Sequence, residues 1–161
     1  MTGVLIVDLS KYYGGADVRV FDLAKALHGR YPYAVAVLKG SILQQRLDSH
    51  HLNVLPVPFS RSDPRTARYL AQTVKRDGFT VVDAHNPQSQ LWAHLLTDSV
   101  RHVSTVHSIY RQEHKNPKGR FYEQILHLNQ RWNSHFIAVI EAVQHYLQQI
   151  GLPPDRIRAD S

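Results

Sequence analysis

The chain has no cysteine. That excludes disulfides and thiolate metal sites and fits a cytoplasmic protein. It also lacks any run near the roughly 18 apolar residues that a membrane-spanning helix needs. There is no G-x-G-x-x-G fingerprint, and Ala16-Asp17 follow the glycine pair Gly14-Gly15 where a P-loop needs Lys and Ser or Thr. There is no G-x-S-x-G elbow, which excludes the common serine hydrolases. A receiver domain would need paired acids after its first strand, but Leu9 and Ser10 follow Asp8. No RNA-binding motif surrounds Tyr12, Tyr13, Tyr31, Tyr33 or Tyr69, so nucleic acid is not an expected partner. No histidine pair has the i,i+4 spacing of a helical zinc site with a nearby carboxylate, so no metal is expected. The opening MTGVLIVDLS carries neither a basic n-region nor a small-residue cleavage site, and reads as a first strand, not a signal peptide.

What remains is an ordinary globular composition: 161 residues, 43% apolar and 20% charged, enough for one domain with a core. The formal charge of +6 favours anionic partners, and eleven histidines add charge below about pH 6.5.

Strand and helix patterns alternate along the chain. Strands are expected over 4–8, 34–38, 54–57, 80–84, 102–106 and 136–139. Helices are expected over 17–28, 43–50, 64–77, 88–96, 118–132 and 141–150, several closed by glycine. Ser62 and Asp63 are cap candidates for a helix with Pro64 at its first position. Residues 155–161 look like the start of a further element. The alternation predicts one Rossmann-like α/β domain, a parallel sheet with helices on both faces.

In such sheets ligands bind at the carboxyl ends of the strands. Gly14 and Gly15 follow the first strand and open the first helix. Glycine permits positive φ and close approach of a guest to the backbone. The helix N-terminus behind it attracts an anion such as phosphate. A tight turn without a ligand explains the pair equally well. The fourth strand ends in His85-Asn86 and the fifth in His107, at the same edge. Imidazole there can donate to a phosphate or hydroxyl, or move a proton near neutral pH.

Taken in order, the segments VLIVDLSKYYGGADVRVFDLAKAL, LKGSILQQRL, VVDAHNPQSQLWAHLL, VSTVHSIY and FIAVIEAVQHYLQQIGLPPDRI resemble the N-terminal domain of family 4 retaining glycosyltransferases of the GT-B fold. The resemblance implies an acceptor-side domain whose partner domain binds most of a nucleotide-sugar donor, with retention of configuration and no metal. It implies that Gly14 and Gly15 approach the donor diphosphate and that the catalytic histidine near the transferred sugar is His107. It implies that His85 and Asn86 line the cleft as acceptor contacts. Lys11, Arg111 and Lys115 are candidates, by loop position, for orienting a charged acceptor.

Residues 1–161 are thus expected to form the N-terminal domain, with the C-terminal donor-binding domain absent and transfer by this chain alone not expected. A non-catalytic binding domain, or one subunit of a split enzyme, is the alternative. The family's A-V-S-E reads Ala138-Val139-Ile140-Glu141 here, so a capping hydroxyl is lost. Arg61, Arg65 and Arg68 fall on one side of the helix expected there. That reads first as a solvated face of a helix packed on the sheet, and second as a face that meets an anionic membrane surface or a phosphorylated acceptor. A sugar and a lipid-linked molecule are the other acceptors expected.

Overall fold

A computed structural model describes residues 3–95, 97, 99–110, 117–131 and 134–159. The run Val4–Asp8 forms strand β1. Its side chains alternate between two cores. Ile6 packs with Val20, Phe21, Ala24, Val35, Val37 and Leu47. Leu5 and Val7 pack on the other face with Ala36, Leu70, Val74, Val82 and Ala93. An unbroken apolar run is what a strand covered on both faces requires.

The remaining strands are β2 (Tyr33–Leu38), β3 (Val54–Val57), β4 (Val81–Ala84), β5 (Arg101–Val106), β6 (His135–Ala138) and β7 (Ile157–Ala159). All pair in parallel in the order β3-β2-β1-β4-β5-β6-β7. The order reverses between β1 and β4, the place where open sheets of this kind leave a crevice.

Among the described residues six helices connect the strands: α1 (Gly15–Leu27), α2 (Ile42–Ser49), α3 (Arg65–Asp77), α4 (Pro87–Leu95), α5 (Lys118–Arg131) and α6 (Glu141–Gln149). Helices α1 and α2 cover one face of the β1–β2 region, and α3 and α4 the other. A third core joins Val106, Leu126, Phe136, Ala138, Val143 and Leu147 around β5 to β7.

The expected element order stands, with ends shifted by one or two residues, as helix fraying allows. Two readings change. Pro64 lies just outside α3, and Asp63 Oδ1 accepts the Arg65 N–H at 2.9 Å. Arg61 therefore sits on a turn before the helix and does not share a helix side with Arg65 and Arg68. The segment after residue 154 is a short 3-10 turn, Pro154–Arg156, followed by β7, which pairs with β6 at Phe136 and Ile157. Gly78 closes α3 at φ +72°, a left-handed conformation that a β-carbon would strain, and its N–H bonds the Val74 carbonyl.

Candidate functional site

The register places Ile6 of β1 beside Asp83 of β4, and Asp83 beside Val103 of β5. Side chains alternate, so Asp8, His85 and Thr105 fall on that same face, two residues further along. One more step along β5 brings His107. Asp83, His85, Thr105 and His107 thus collect at the carboxyl edge of the sheet, beside the switch point.

They form a chain of hydrogen bonds. Thr105 Oγ1 donates to Asp83 Oδ1 at 2.7 Å. Asp83 Oδ2 lies 3.0 Å from His85 Nε2, and His85 Nδ1 lies 2.9 Å from His107 Nε2. Asp83, His85 and Thr105 are buried, and His107 is half-buried. Burial opposes charge on both Asp83 and His85. The pair overcomes it: the His85 charge and the bonds from His85 and Thr105 hold the Asp83 carboxyl below its usual range, and Asp83 raises His85. His107 moves the other way. Burial, then the charges of His85 and Arg19, push it down to about 4.

At neutral pH these directions fix the tautomers. The raised His85 favours its protonated form, which donates to Asp83 from Nε2 and to His107 from Nδ1. His107 is neutral, accepts at Nε2 and carries its proton on Nδ1.

Asp8 organises the loop after β1. Its Oδ1 accepts from Ser10 Oγ at 2.5 Å and from Asn86 Nδ2 at 3.0 Å. Asn86 Oδ1 in turn accepts the Ser89 N–H at 2.9 Å, in the first turn of α4. Asn86 thus stitches β1 to α4 while lining the cleft. Burial, then the hydrogen bond and charge of Asp17, raise Asp8 to about 7. Asp17 Oδ2 accepts the Gly14 N–H at 2.7 Å, which holds the glycine loop against the start of α1.

The glycines adopt ordinary backbone. Gly14 has φ −144°, and neither Gly14 nor Gly15 has positive φ, contrary to one reason the sequence suggests for them. A β-carbon at Gly15 would meet nothing within 4 Å, and one at Gly14 only Asp17 Oδ2 at 4.0 Å. The chain's own packing does not demand glycine here. A side chain would instead fill the open space over the N-terminus of α1.

That space divides into compartments around His107. One, of about 430 Å³, is lined by Gly15, Ala16, Arg19, His107, Ser108 and Ile140. A second, of about 280 Å³, is lined by residues that include Arg61, His85, Asn86, His107, Tyr110 and Lys118. A third, of about 540 Å³, runs behind Gly15 along Arg19, Asp83, His85 and Thr105. His107 borders the first two, and Gly15 the first and third.

Gly14, Gly15, His85, Asn86 and His107 therefore gather at one edge. Lys11 is exposed on the same loop, and Arg111 and Lys115 lie outside the described residues. Asp83, Thr105 and Asp8 are additions. Asp83 stands two residues before His85, a period-2 signal legible in VVDAH; Arg61, expected on a helix face, lines the cleft instead.

Among the described residues no group of three or more His, Cys, Asp or Glu side chains is placed to hold a metal ion. Two other histidines, His94 and His102, stack in the core with centroids 4.5 Å apart. No helix among the described residues is long and apolar enough to cross a membrane.

A parallel sheet of this order, with a glycine-opened helix and polar residues at its carboxyl edge, matches in fold the Rossmann-like half of GT-B glycosyltransferases. A model of the family "Glycosyltransferase Family 4" matches residues 13–159, and the chain belongs to that family.

Solved structures agree on the fold. Anabaena Alr3699/HepE in complex with UDP is 21% identical, with a TM-score of 0.80 over 98% of this chain and 43% of that one. A Rickettsia africae glycosyltransferase is 19% identical, with a TM-score of 0.74 over 98% of this chain and 42% of its own. The lipopolysaccharide outer core galactosyltransferase WaaB, in its apo form, is 12% identical, with a TM-score of 0.70 over 98% of this chain and 44% of its own. The chain spans less than half the length of each. No curated protein sequence matches it.

Proposed function

We propose that this domain is the acceptor-side half of a retaining glycosyltransferase. It takes part in moving a sugar from a nucleotide-sugar to a sugar, lipid-linked or phosphorylated acceptor. The observation that carries the reading is the position of His107, a neutral imidazole between the compartment at the glycine loop and the compartment at Arg61.

As the donor's glycosidic bond breaks, negative charge grows on the leaving diphosphate. Amide N–H groups at the start of α1 meet that charge without rearrangement, which is the most effective kind of electrostatic stabilisation. Gly15 lets the phosphates come within reach of those amides. His107 is held neutral and oriented by His85, so its Nδ1–H donates to the sugar passing between the compartments. The Asp83–His85 pair fixes that tautomer, much as a carboxylate orients a catalytic histidine in other enzymes. The donor-binding surface belongs to the facing domain of the GT-B architecture, and no metal is required. UDP is the nucleotide to try first, because Alr3699/HepE was solved with UDP and with UDP-glucose.

Calorimetry with UDP-glucose, UDP and glucose on this chain tests the reading. Binding of UDP-glucose that weakens in His107→Ala supports it. Absence of binding to UDP-glucose, UDP and glucose alike, in a folded chain, would refute it.

A further inference from the structure

The compartment of about 280 Å³ that His107 borders together with Ser10, Ala16 and Tyr110 has an unusual lining. Among the described residues it is lined by Arg61 and Lys118, beside His85 and His107, and by no carboxylate. Two arginines of α3 are paired with carboxylates: Arg65 meets Asp63 at 2.7 Å and Arg76 meets Asp77 at 3.0 Å. Arg61 and Lys118 have no such partner among the described residues. Each is held in place by other means. Trp92 Nε1 donates to the Arg61 carbonyl at 2.5 Å, fixing the turn that carries it. Lys118 is the first residue of α5, and its Nζ lies 5.6 Å from the centre of the Tyr122 ring, which also lines the compartment. Two like charges facing one small space repel unless an anion lies between them.

We infer that Arg61 and Lys118 form a subsite for the phosphate of a phosphorylated acceptor, which they hold with its hydroxyl toward His107. The inference rests on the acceptor reading above and names its substrate class. The volume lies just under the usual range of about 300–1,000 Å³ for small-molecule sites, so one sugar-sized unit and its phosphate fill it. Arg61 supplies a planar fork suited to phosphate oxygens, and Lys118 a point charge. The N-terminus of α5 adds its partial positive charge to that of Lys118. The same chemistry arises from a free sugar phosphate or from the headgroup of a phospholipid.

The test is a set of titrations of this chain with glucose 6-phosphate, a soluble short-chain phosphatidylinositol and neutral glucose, read by NMR shifts and calorimetry at low and high salt. At least one phosphate-bearing probe should bind about tenfold or more tighter than glucose, with shifts at Arg61, His107 and Lys118. Which probe binds tighter identifies the source of the phosphate. Arg61→Gln and Lys118→Gln should each weaken that probe about tenfold, while Arg61→Lys keeps part of the affinity. The Trp92 bond is to backbone, so Arg61→Gln should melt like the wild type; Lys118→Gln, at an exposed helix start, is an independent check. Equal affinity for glucose and for both phosphate probes, or unchanged binding in both Gln variants, would overturn the inference. Shifts confined to residues 14–19 would do the same. UDP-glucose is titrated separately: if it fails to bind while glucose 6-phosphate binds at Arg61, the subsite stands and the nucleotide-sugar reading falls.

Discussion

His85 Nδ1 lies 2.9 Å from His107 Nε2, and the other nitrogen of His85 is bound to the buried carboxylate of Asp83. One histidine therefore carries a charge so that its neighbour stays neutral. Burial, the His85 charge and Arg19 all push the His107 pKa down, to about 4. Asp83→Asn removes the group that keeps His85 charged. The His107 pKa should then rise from about 4 toward its ordinary 6.5, read from the imidazole Cε1–H shift against pH. A His107 titration unchanged by Asp83→Asn would show that the pair does not control it.

Gly15 separates two explanations of the glycine loop. A β-carbon there meets nothing within 4 Å. Gly15→Val should therefore fold, with stability changed by no more than about 1 kcal/mol in urea titration. Nucleotide-sugar affinity should fall about tenfold or more, because the side chain fills the space over the first amides of α1. A stable variant with unchanged affinity would mean that the loop has no guest.

Asn86 is expected to act on stability as well as on the cleft. Its amide donates to Asp8 and its oxygen accepts from Ser89. Asn86→Ala leaves Asp8 short of a donor and should cost about 1–3 kcal/mol in denaturant unfolding. A cost near zero would mean that the strand-to-helix tie carries little.

Acid should weaken the fold through His94. Burial and His102 lower its pKa from 6.5 to about 4. Between those values the unfolded chain takes up a proton that the folded chain refuses, so stability falls as pH falls through this window. The loss is up to about 3 kcal/mol for this group. Asp8 acts in the opposite sense: with its pKa raised to about 7, the folded chain holds a proton the unfolded one loses as pH rises from 3.8. His94→Gln should therefore flatten the drop in stability between pH 6.5 and 4, measured by urea titration at a series of pH values. An unaltered slope would contradict the assignment.

Ile140 stands at the N-cap of α6, 57% exposed and without a side-chain bond to the helix. Ile140→Ser restores a cap oxygen at little loss of buried surface, and should stabilise by about 1 kcal/mol, visible as a higher thermal midpoint. A lower midpoint would place the Ile140 side chain in a structural contact of its own.

Much of this was legible in the chain because the fold is built from local signals. Unbroken apolar strands, amphipathic helices and glycine stops such as Gly78 each declare themselves within a few residues. His85 and His107 were legible because a histidine at the end of a buried strand has only the ligand-binding edge to occupy. The roles of the glycines were partly misread: backbone angles are a product of the whole turn, and Gly14 is simply extended. Arg61 was misplaced because Pro64 can stand at or just before the first helical position, and a shift of one turn moves a side chain from helix face to cleft. Arg61 and Lys118, which line one compartment, stand 57 positions apart. Their placement depends on how α3 and α5 each pack on α4, and no spacing rule contains that.

The account's central claim is that the carboxyl edge around His107 receives a nucleotide-sugar from the glycine-loop side. Amide shift mapping of the labelled chain with UDP-glucose tests it most directly. The account predicts saturable shifts over residues 14–19 and at His107 and Ser108. Shifts gathered instead at the opposite end of the sheet, around Gly78 to Thr80 and Ser99 to Arg101, would contradict it.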